Sequence, residues 1–551
     1  MFCKPAKSLK IKEFILEQKS FNLFNTHAEW VLPIVSNYLD TADLSKISRM
    51  TKYVKKILDN SLISRKLYTS ANFIDMPINK ISYIHMLEWS DDYKICNYIL
   101  PPNLIHLTFT YEFNQPLPQC FSKLINLTNL NIGGMFNQQI LPEILPPNLT
   151  RLNIGGNFNK KLLPNSLPPN LIYLSLGWDF NQPLVPECFS KLTKLVDLNF
   201  GGVFNQQILP GVLPINLIQL NLSSRFNQQL LPGSLPPNLT HLTFGWDFNQ
   251  LLDFNVLPTS LTYLSFGYNF NQPLIPGVLP PDLAYLNIGC QFNQLLLIGS
   301  LPINLTRINL GGWFNQPLMP GLLPPNLTHL NFGRQFNQPI DANVLPPSLI
   351  SLNFGNYFNQ PLLYECFSHL SNLTKLKLGA RYEQPLPPAC FSNLLNLTYL
   401  NIGFNFDHSF AYNTLPPNLT HLKCSSDQFL KPHVGLLHLT HLTFGDNFNQ
   451  PVDFNELPPK LTHLTFGQNF NQPININLIS EPLNLTYLTF GDNFNQPLNI
   501  NSLPPKLTHL TFGEHFNQPL NLLHLNLKEL IININHSKDI QYSNCNIRYI
   551  N

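Results

Sequence analysis

Apolar residues two apart, read as Leu-x-Leu, Leu-x-Ile or Leu-x-Phe, return along this chain about every 22 residues, usually followed by a Gly and then a Phe-Asn pair. The Phe-Asn pair stands at Phe113, Phe136, Phe158, Phe180, Phe204, Phe226, Phe248, Phe270, Phe292, Phe314, Phe336, Phe358, Phe448, Phe470, Phe494 and Phe516. Degenerate copies at Tyr382, Phe406 and Gln428 bring the number of units to 19. In the last clear copy, Leu510 and Phe512 point to one side of a short strand, and His509 and Thr511 to the other. Gly513 is expected to permit a sharp exit from the strand, Phe516 to turn back under it, and Leu520 and Leu503 to close the coil. The Leu-Pro-Pro of each connecting arm removes amide donors and favours extended or polyproline backbone, so a regular helix is not expected there. Cys-Phe-Ser-x-Leu replaces it around Phe121, Phe189, Phe367 and Phe391, where the spacing usually grows to 24 and a short helical turn is expected.

A unit this small cannot bury its own apolar face and must stack on its neighbours. The expected fold is therefore a repeat solenoid with one short parallel strand per coil and a mostly non-helical convex side. The Asn after each Phe recurs too strictly for surface decoration. Its amide both donates and accepts, so a stacked column of them would satisfy turn amides and carbonyls of adjacent coils. The strand Leu527-x-x-Leu530-x-Ile532 lacks a Phe-Asn return, and the polar tail from Asn533 reads as a cap over the last coil.

Specificity is expected on the outward side of the strands. Its third position is His or Tyr in 12 of 19 units, types enriched at protein interfaces. The residues expected to meet a target are His241, Tyr263, Tyr285, His329, His421, His441, His463, Tyr487 and His509. Strand propensity and copying of repeats would also produce such a column. His421, His441 and His463 lie on consecutive rungs, where neighbouring imidazoles open a second reading as a metal- or small-ligand-binding array. No carboxylate or Cys completes such a site, so neither a metal ligand set nor a cofactor is assigned.

Composition narrows the alternatives. Charged residues are 12% and net charge is +2, which gives no general attraction to nucleic acid or anionic membrane. Residues 1–70 carry 12 Lys/Arg against 6 Asp/Glu, and the remainder 21 against 25. For the short basic segment a solvated face is the plainer explanation. No membrane-length apolar run or secretory leader is read, and nine cysteines without a Cys-x-x-Cys spacing point to neither disulfides nor zinc. Cys120, Cys188, Cys366 and Cys390 are expected to be small buried side chains. Asn-Leu-Thr at Asn126, Asn148, Asn238, Asn326 and Asn418 matches a glycosylation acceptor that should go unused without a leader. No catalytic grouping or nucleotide motif is present, so the chain is not expected to be an enzyme.

The unit L-P-P-x-L-T-H-L-T-F-G-x-x-F-N-Q-P-L resembles the FNIP repeat, a relative of leucine-rich repeats abundant in social amoebae and in giant viruses that infect amoebae. The resemblance covers about residues 100–520. In that family an F-box often precedes the array, and residues 31–52 are similar to one, most closely at Tyr38-Leu39-Asp40, Asp43-Leu44 and Ile47-Ser48. The family's opening Leu-Pro should lie about five residues before Leu32-Pro33, and Val54 stands where it has a late Trp. Read without the family, the segment is a small helical domain or an N-terminal cap. With it, the chain divides into an α-helical F-box-like domain at 1–65, a connector or N-terminal cap at 66–100, the array at 101–520 and a C-terminal cap at 521–551. The resemblance implies a substrate-recognition adaptor of a Skp1-cullin-F-box-type ubiquitin ligase. Leu32, Val35, Leu39, Leu44 and Ile47 would dock a Skp1-like adaptor, and the array would hold an unknown target protein. A non-ligase protein-binding or structural scaffold is the alternative. The cytoplasm (the host cell's, if the chain is viral) or the nucleus is the expected location.

Overall fold

In the computed structural model the described residues are 67–69, 73–74, 81, 84–90, 93–95, 98–408, 410, 414–425, 436–474, 484–498, 503–523, 525–536, 540–541 and 545–550. The F-box-like stretch with Leu32, Val35, Leu39, Leu44 and Ile47 lies outside them, as does Gln428. Two compact units divide the chain, one ending at Leu239 and the other starting at Thr240.

In the first unit, strands β1 (Leu67–Thr69), β2 (Met86–Trp89), β3 (His106–Phe109), β4 (Asn129–Asn131), β5 (Arg151–Asn153), β6 (Tyr173–Ser175), β7 (Asp197–Asn199) and β8 (Gln219–Asn221) pair in parallel in chain order. The segment expected as a connector thus supplies two further coils. Trp89, in the second of them, is completely buried, its indole N–H donating to the Tyr93 carbonyl at 3.1 Å.

In the second unit, the same parallel order runs through β9 (His241–Thr243), β10 (Tyr263–Ser265), β11 (Tyr285–Asn287), β12 (Arg307–Asn309), β13 (His329–Asn331), β14 (Ser351–Asn353), β15 (Lys375–Lys377), β16 (Tyr399–Asn401), β17 (His421–Cys424), β18 (His441–Phe444), β19 (His463–Thr465), β20 (Tyr487–Thr489) and β21 (His509–Thr511). Beyond a short β22 (Leu520–Asn521), β23 (Glu529–Asn533) pairs with β21. After β24 (Ile540–Gln541), which pairs with β22, β25 (Asn546–Ile550) pairs with β23. The tail expected to be only a cap therefore carries one more full strand.

Register is in phase throughout: Leu264 lies opposite Leu286, and Leu442 opposite Leu464. The inward column is therefore leucine on leucine, and the returning phenylalanines stack on their own copies. In the first unit the rings from Phe113 to Phe226 stand 6.0–6.2 Å apart, centre to centre. In the second, a like row runs from Phe248 to Phe406, with Tyr382 in line at 6.1 Å from Phe358, and another from Phe448 to Phe516. His536 takes the last place, 5.8 Å from Phe516, and donates from Nε2 to the Gln518 carbonyl at 3.0 Å. The Tyr382 ring is completely buried in the stack, but its hydroxyl finds no partner there.

The Asn column forms as expected. Asn271 Oδ1 accepts from the Asn293 backbone N–H at 2.9 Å and from Gln294 Nε2 at 3.2 Å, and the same arrangement recurs at Asn181, Asn315 and Asn471. The following Gln is thus a second donor in the ladder. A second amide column was missed. Asn126, Asn148, Asn238, Asn326 and Asn418, the glycosylation-like positions, each donate Nδ2 to a carbonyl of the preceding coil at 2.8–3.3 Å.

One local reading is extended and one corrected. The glycine after the strand answers to crowding as well as to the turn: Gly311, Gly355 and Gly403 there adopt positive φ, and a Cβ on Gly289 would sit 1.6 Å from the Gly267 carbonyl oxygen of the previous coil. Cys188, Cys366 and Cys390 are buried, but Cys120 is exposed. There, Phe121 follows Phe113 by eight residues, where Phe189 follows Phe180 by nine, and the shorter connection turns the cysteine outward. Single 3₁₀ turns occur at Gln119–Lys123, Pro186–Cys188 and Tyr364–Cys366, and the connection before Phe391 makes turns only.

Two substitutions test this account by urea or thermal unfolding. Asn271→Ala strips the acceptor from two donors and should cost about 1–3 kcal/mol, whereas Gln272→Ala should cost under about 0.5 kcal/mol. Equal, small losses would remove the ladder from the argument. Gly289→Ala should destabilise by about 3 kcal/mol or more by forcing coils apart. Gly321→Ala, with a positive φ but open space around it, should cost only about 1–2 kcal/mol.

Candidate functional site

Parallel in-phase pairing also stacks the outward residues. In the second unit His421, His441, His463, Tyr487 and His509 form one continuous pile, with ring centres 4.0–4.2 Å apart and planes within 13°. Tyr399 leans on its end at 6.2 Å. His241, Tyr263 and Tyr285 make a separate pile at 5.4 and 4.5 Å. The structure does not bring His329 into either: its neighbours on the column are Arg307 and Ser351. Tyr487 and His241 are exposed, and the other rings of the two piles are half-buried by one another.

The threonine before each histidine fixes the ring. Thr440 Oγ1 donates to the Thr420 carbonyl at 3.1 Å, so the same oxygen must accept from His441 Nδ1, 2.9 Å away. Thr420, Thr462 and Thr508 repeat this with His421, His463 and His509. Nδ1 therefore carries the proton, and Nε2 keeps its lone pair. With near-parallel rings these lone pairs run side by side and do not converge. A common metal ion needs donors aimed at one point, so consecutive rungs do not make a chelate. Among the described residues no group of three or more His, Cys, Asp or Glu could hold a metal ion.

Burial between neighbouring rings pushes His441 down to about 4, with the charges of His463 and His421 acting in the same direction. His463 is lowered by the same burial and by His421 and His509. In the first unit, Arg151 lies 3.9 Å over the Tyr173 ring, and burial raises the carboxyl of Asp197 on the next rung against the opposing pull of Arg151.

Several outward features escaped the sequence reading. Trp246 stacks on Tyr268 at 4.3 Å at the turn after the strand. In the first unit a cleft of about 630 Å³ runs between Tyr111 and Trp178, floored by the Asn131 and Asn153 amides and by Gly–Gly turns. The paired glycines at 133–134, 155–156 and 201–202 were the available signal. In the second unit Arg307, Lys375 and Lys377 line a cleft of about 320 Å³. Lys377 breaks a column otherwise made almost wholly of Thr, Ser and Asn.

The depressed histidines set a pH dependence. In the unfolded chain they take up protons as pH falls through about 6.5, whereas the stacked His441 resists protonation until about pH 4. Their contribution is complete above about 6.5 and is lost as pH falls toward 4. Melting temperature should drop across that window, and His441→Gln should make the drop shallower. Parallel curves for the two proteins would contradict the assignment.

Comparison with known proteins places this geometry. The FNIP repeat profile matches residues 125–157, 136–179, 158–195, 180–225, 226–269, 270–312, 314–357, 438–469, 448–479 and 470–515. No curated protein sequence matches the chain. The crystal structure of CroV588, described as a novel circular LRR protein, is similar with a TM-score of 0.69 and 36% identity, over 84% of this chain and 76% of that one. The LRR protein LIC12759 of Leptospira interrogans gives 0.44 and 18% over 76% and 93%, and Toll in the Drosophila Toll–Spatzle complex gives 0.48 and 14% over 85% and 72%. With its Phe-Asn returns, in-phase strands and repeated profile matches, this chain belongs to the FNIP repeat family and has a leucine-rich-repeat-like parallel solenoid fold.

Proposed function

We propose that the chain is a protein-interaction adaptor, holding a target protein across the outward side of its strands and docking a Skp1-like adaptor through the F-box-like segment. The observation that carries the first half is the pile of outward rings from Tyr399 to His509. Its members are pre-ordered by stacking and by threonine hydroxyls, so little side-chain entropy remains to be lost on binding. Aromatic area with little charge is what protein interfaces use as anchors. The second half rests on the sequence similarity around Leu32, Val35, Leu39, Leu44 and Ile47. On this reading the protein performs no chemistry of its own. It positions a target for ubiquitin transfer by other subunits, in the cytoplasm or nucleus.

Photo-cross-linking of the full chain in cells tests both halves. An aryl-ketone amino acid at Tyr263 or His441 should capture the same target, and one at Leu297 on the return arm should not. Leu39→Asp should abolish co-purification of a Skp1-like protein while leaving the target cross-link intact. Equal capture from Leu297 removes the outward face from the mechanism. Absence of a Skp1-like protein from the unaltered chain removes the ligase role and leaves a binding scaffold.

A further inference from the structure

From His241 to Thr511 the two outward strand columns are filled almost wholly by His, Tyr, Thr, Ser and Asn. The permanently charged exceptions are Arg307, Lys375, Lys377 and Lys423, and all four are cations. They cluster between β12 and β17. Among the described residues none of them is held in an ion pair. The repeat supplies no reason for them, since at the third position a His or Tyr and at the fifth a neutral polar residue satisfy the stack elsewhere.

Their setting is a concavity. The short Ser351 side chain leaves a gap in the outward column between His329 and Lys375, and Arg307, His329, Lys375 and Lys377 line the cleft of about 320 Å³ there. Its floor is the amide ladder in which Asn353 donates to Asn331 at 2.6 Å and Asn331 to Asn309 at 3.1 Å. Rungs about 4.8 Å apart put Arg307 and Lys375 roughly 14 Å apart at the backbone, with His329 and Ser351 on the two rungs between them. Lys375 and Lys377 lie 5.0 and 5.9 Å from the Tyr399 ring centre, which braces their ammonium groups from the far side. The lining contains no carboxylate. Burial, Lys375 and Lys423 together weaken the hold of Lys377 on its proton, a cost that a bound anion would relieve.

We propose that this cleft seats an anionic side chain, a carboxylate or a phosphate, of an extended acidic peptide segment running across the strands. The inference rests on the outward face being the target-binding surface and names the chemistry that surface selects. A peptide fits better than a nucleic acid. Nucleic acid carries charge at every step, and the rungs on either side of this cleft are neutral rings. An extended peptide rises about 3.3 Å per residue. A residue about four positions from the acidic one would therefore meet Tyr285, and one about three positions the other way would meet Tyr399. The expected motif is an acidic or phosphorylated residue flanked at those distances by apolar or aromatic ones.

The test uses the full chain and fluorescein-labelled probes read by anisotropy. One peptide carries Glu-Asp-Glu at its centre with Tyr and Leu at those distances. A second has Gln-Asn-Gln instead, a third phosphoserine, and a short deoxythymidine oligomer serves as the nucleic-acid probe. The acidic or phosphorylated peptide should bind about tenfold or more tightly than the neutral one. Arg307→Gln with Lys375→Gln and Lys377→Gln should erase that difference, while Lys160→Gln with Lys161→Gln in the first unit should preserve it. Preference for the phosphoserine peptide or for the carboxylate peptide identifies which anion is favoured. Equal binding of acidic and neutral peptides, loss in the Lys160/Lys161 variant equal to that in the cleft variant, or tighter binding of the oligomer overturns the proposal. A target that still cross-links from Tyr263 and His441, and is untouched by the cleft substitutions, sinks the anion cleft alone and leaves the outward-face reading standing. Peptide binding lost in the cleft variant with no target cross-linked from either position does the reverse.

Discussion

Adjacent coils approach so closely that each repeated position meets its own copy, and this constraint governs nearly every other feature of both units. Gly289 has no room for a methyl group against Gly267, and the Phe rings lie about one ring-stacking distance apart. In-phase parallel pairing makes contacts homotypic: leucine on leucine, Phe on Phe, Asn on Asn, Thr on Thr and His on His. Only side chains that interact favourably with themselves can fill such columns. Apolar and aromatic groups do so by packing, and amides and hydroxyls do so because they both donate and accept. A charged residue repeated at rung spacing would repel its copies, which accounts for a charged fraction of only 12%.

The same rule shows how the columns are altered and ended. His536 closes the second unit by adding a ring that stacks on Phe516 and a polar edge that bonds to Gln518. Near the start, Trp89 lies opposite Phe109 on the inward side, with its indole N–H satisfied by Tyr93. Tyr382 keeps the ring but buries a hydroxyl without a partner, a local cost that the surrounding spine tolerates. Several cations of the outward columns are braced by neighbouring rings, as Arg151 is by Tyr173 and Lys375 by Tyr399. Function on this fold therefore resides in the interruptions of the columns more than in their repetition. The imidazole pile is a neutral, rigid, side-by-side array suited to contact over area. The break at Ser351 and its flanking cations are suited to selecting one charge.

Several features were legible in the chain because they depend only on period and residue type. The solenoid, the strand with Leu510 inward and His509 outward, the buried Phe spine, the Asn column and the non-helical Pro-Pro arm all follow from which side chains recur at which spacing. In-phase stacking itself was implied, since identical units have one best register. Tertiary structure alone decided what depends on distances between coils. It showed that Gly289 answers to crowding, that Gln294 joins the Asn271 ladder, and that the glycosylation-like asparagines are structural donors. It also placed His329 apart from the ring piles and turned Cys120 outward. A one-dimensional pattern records what repeats, but the gap between neighbouring side chains is set by packing in the direction across the strands, and there a single short or charged residue changes what a surface can hold.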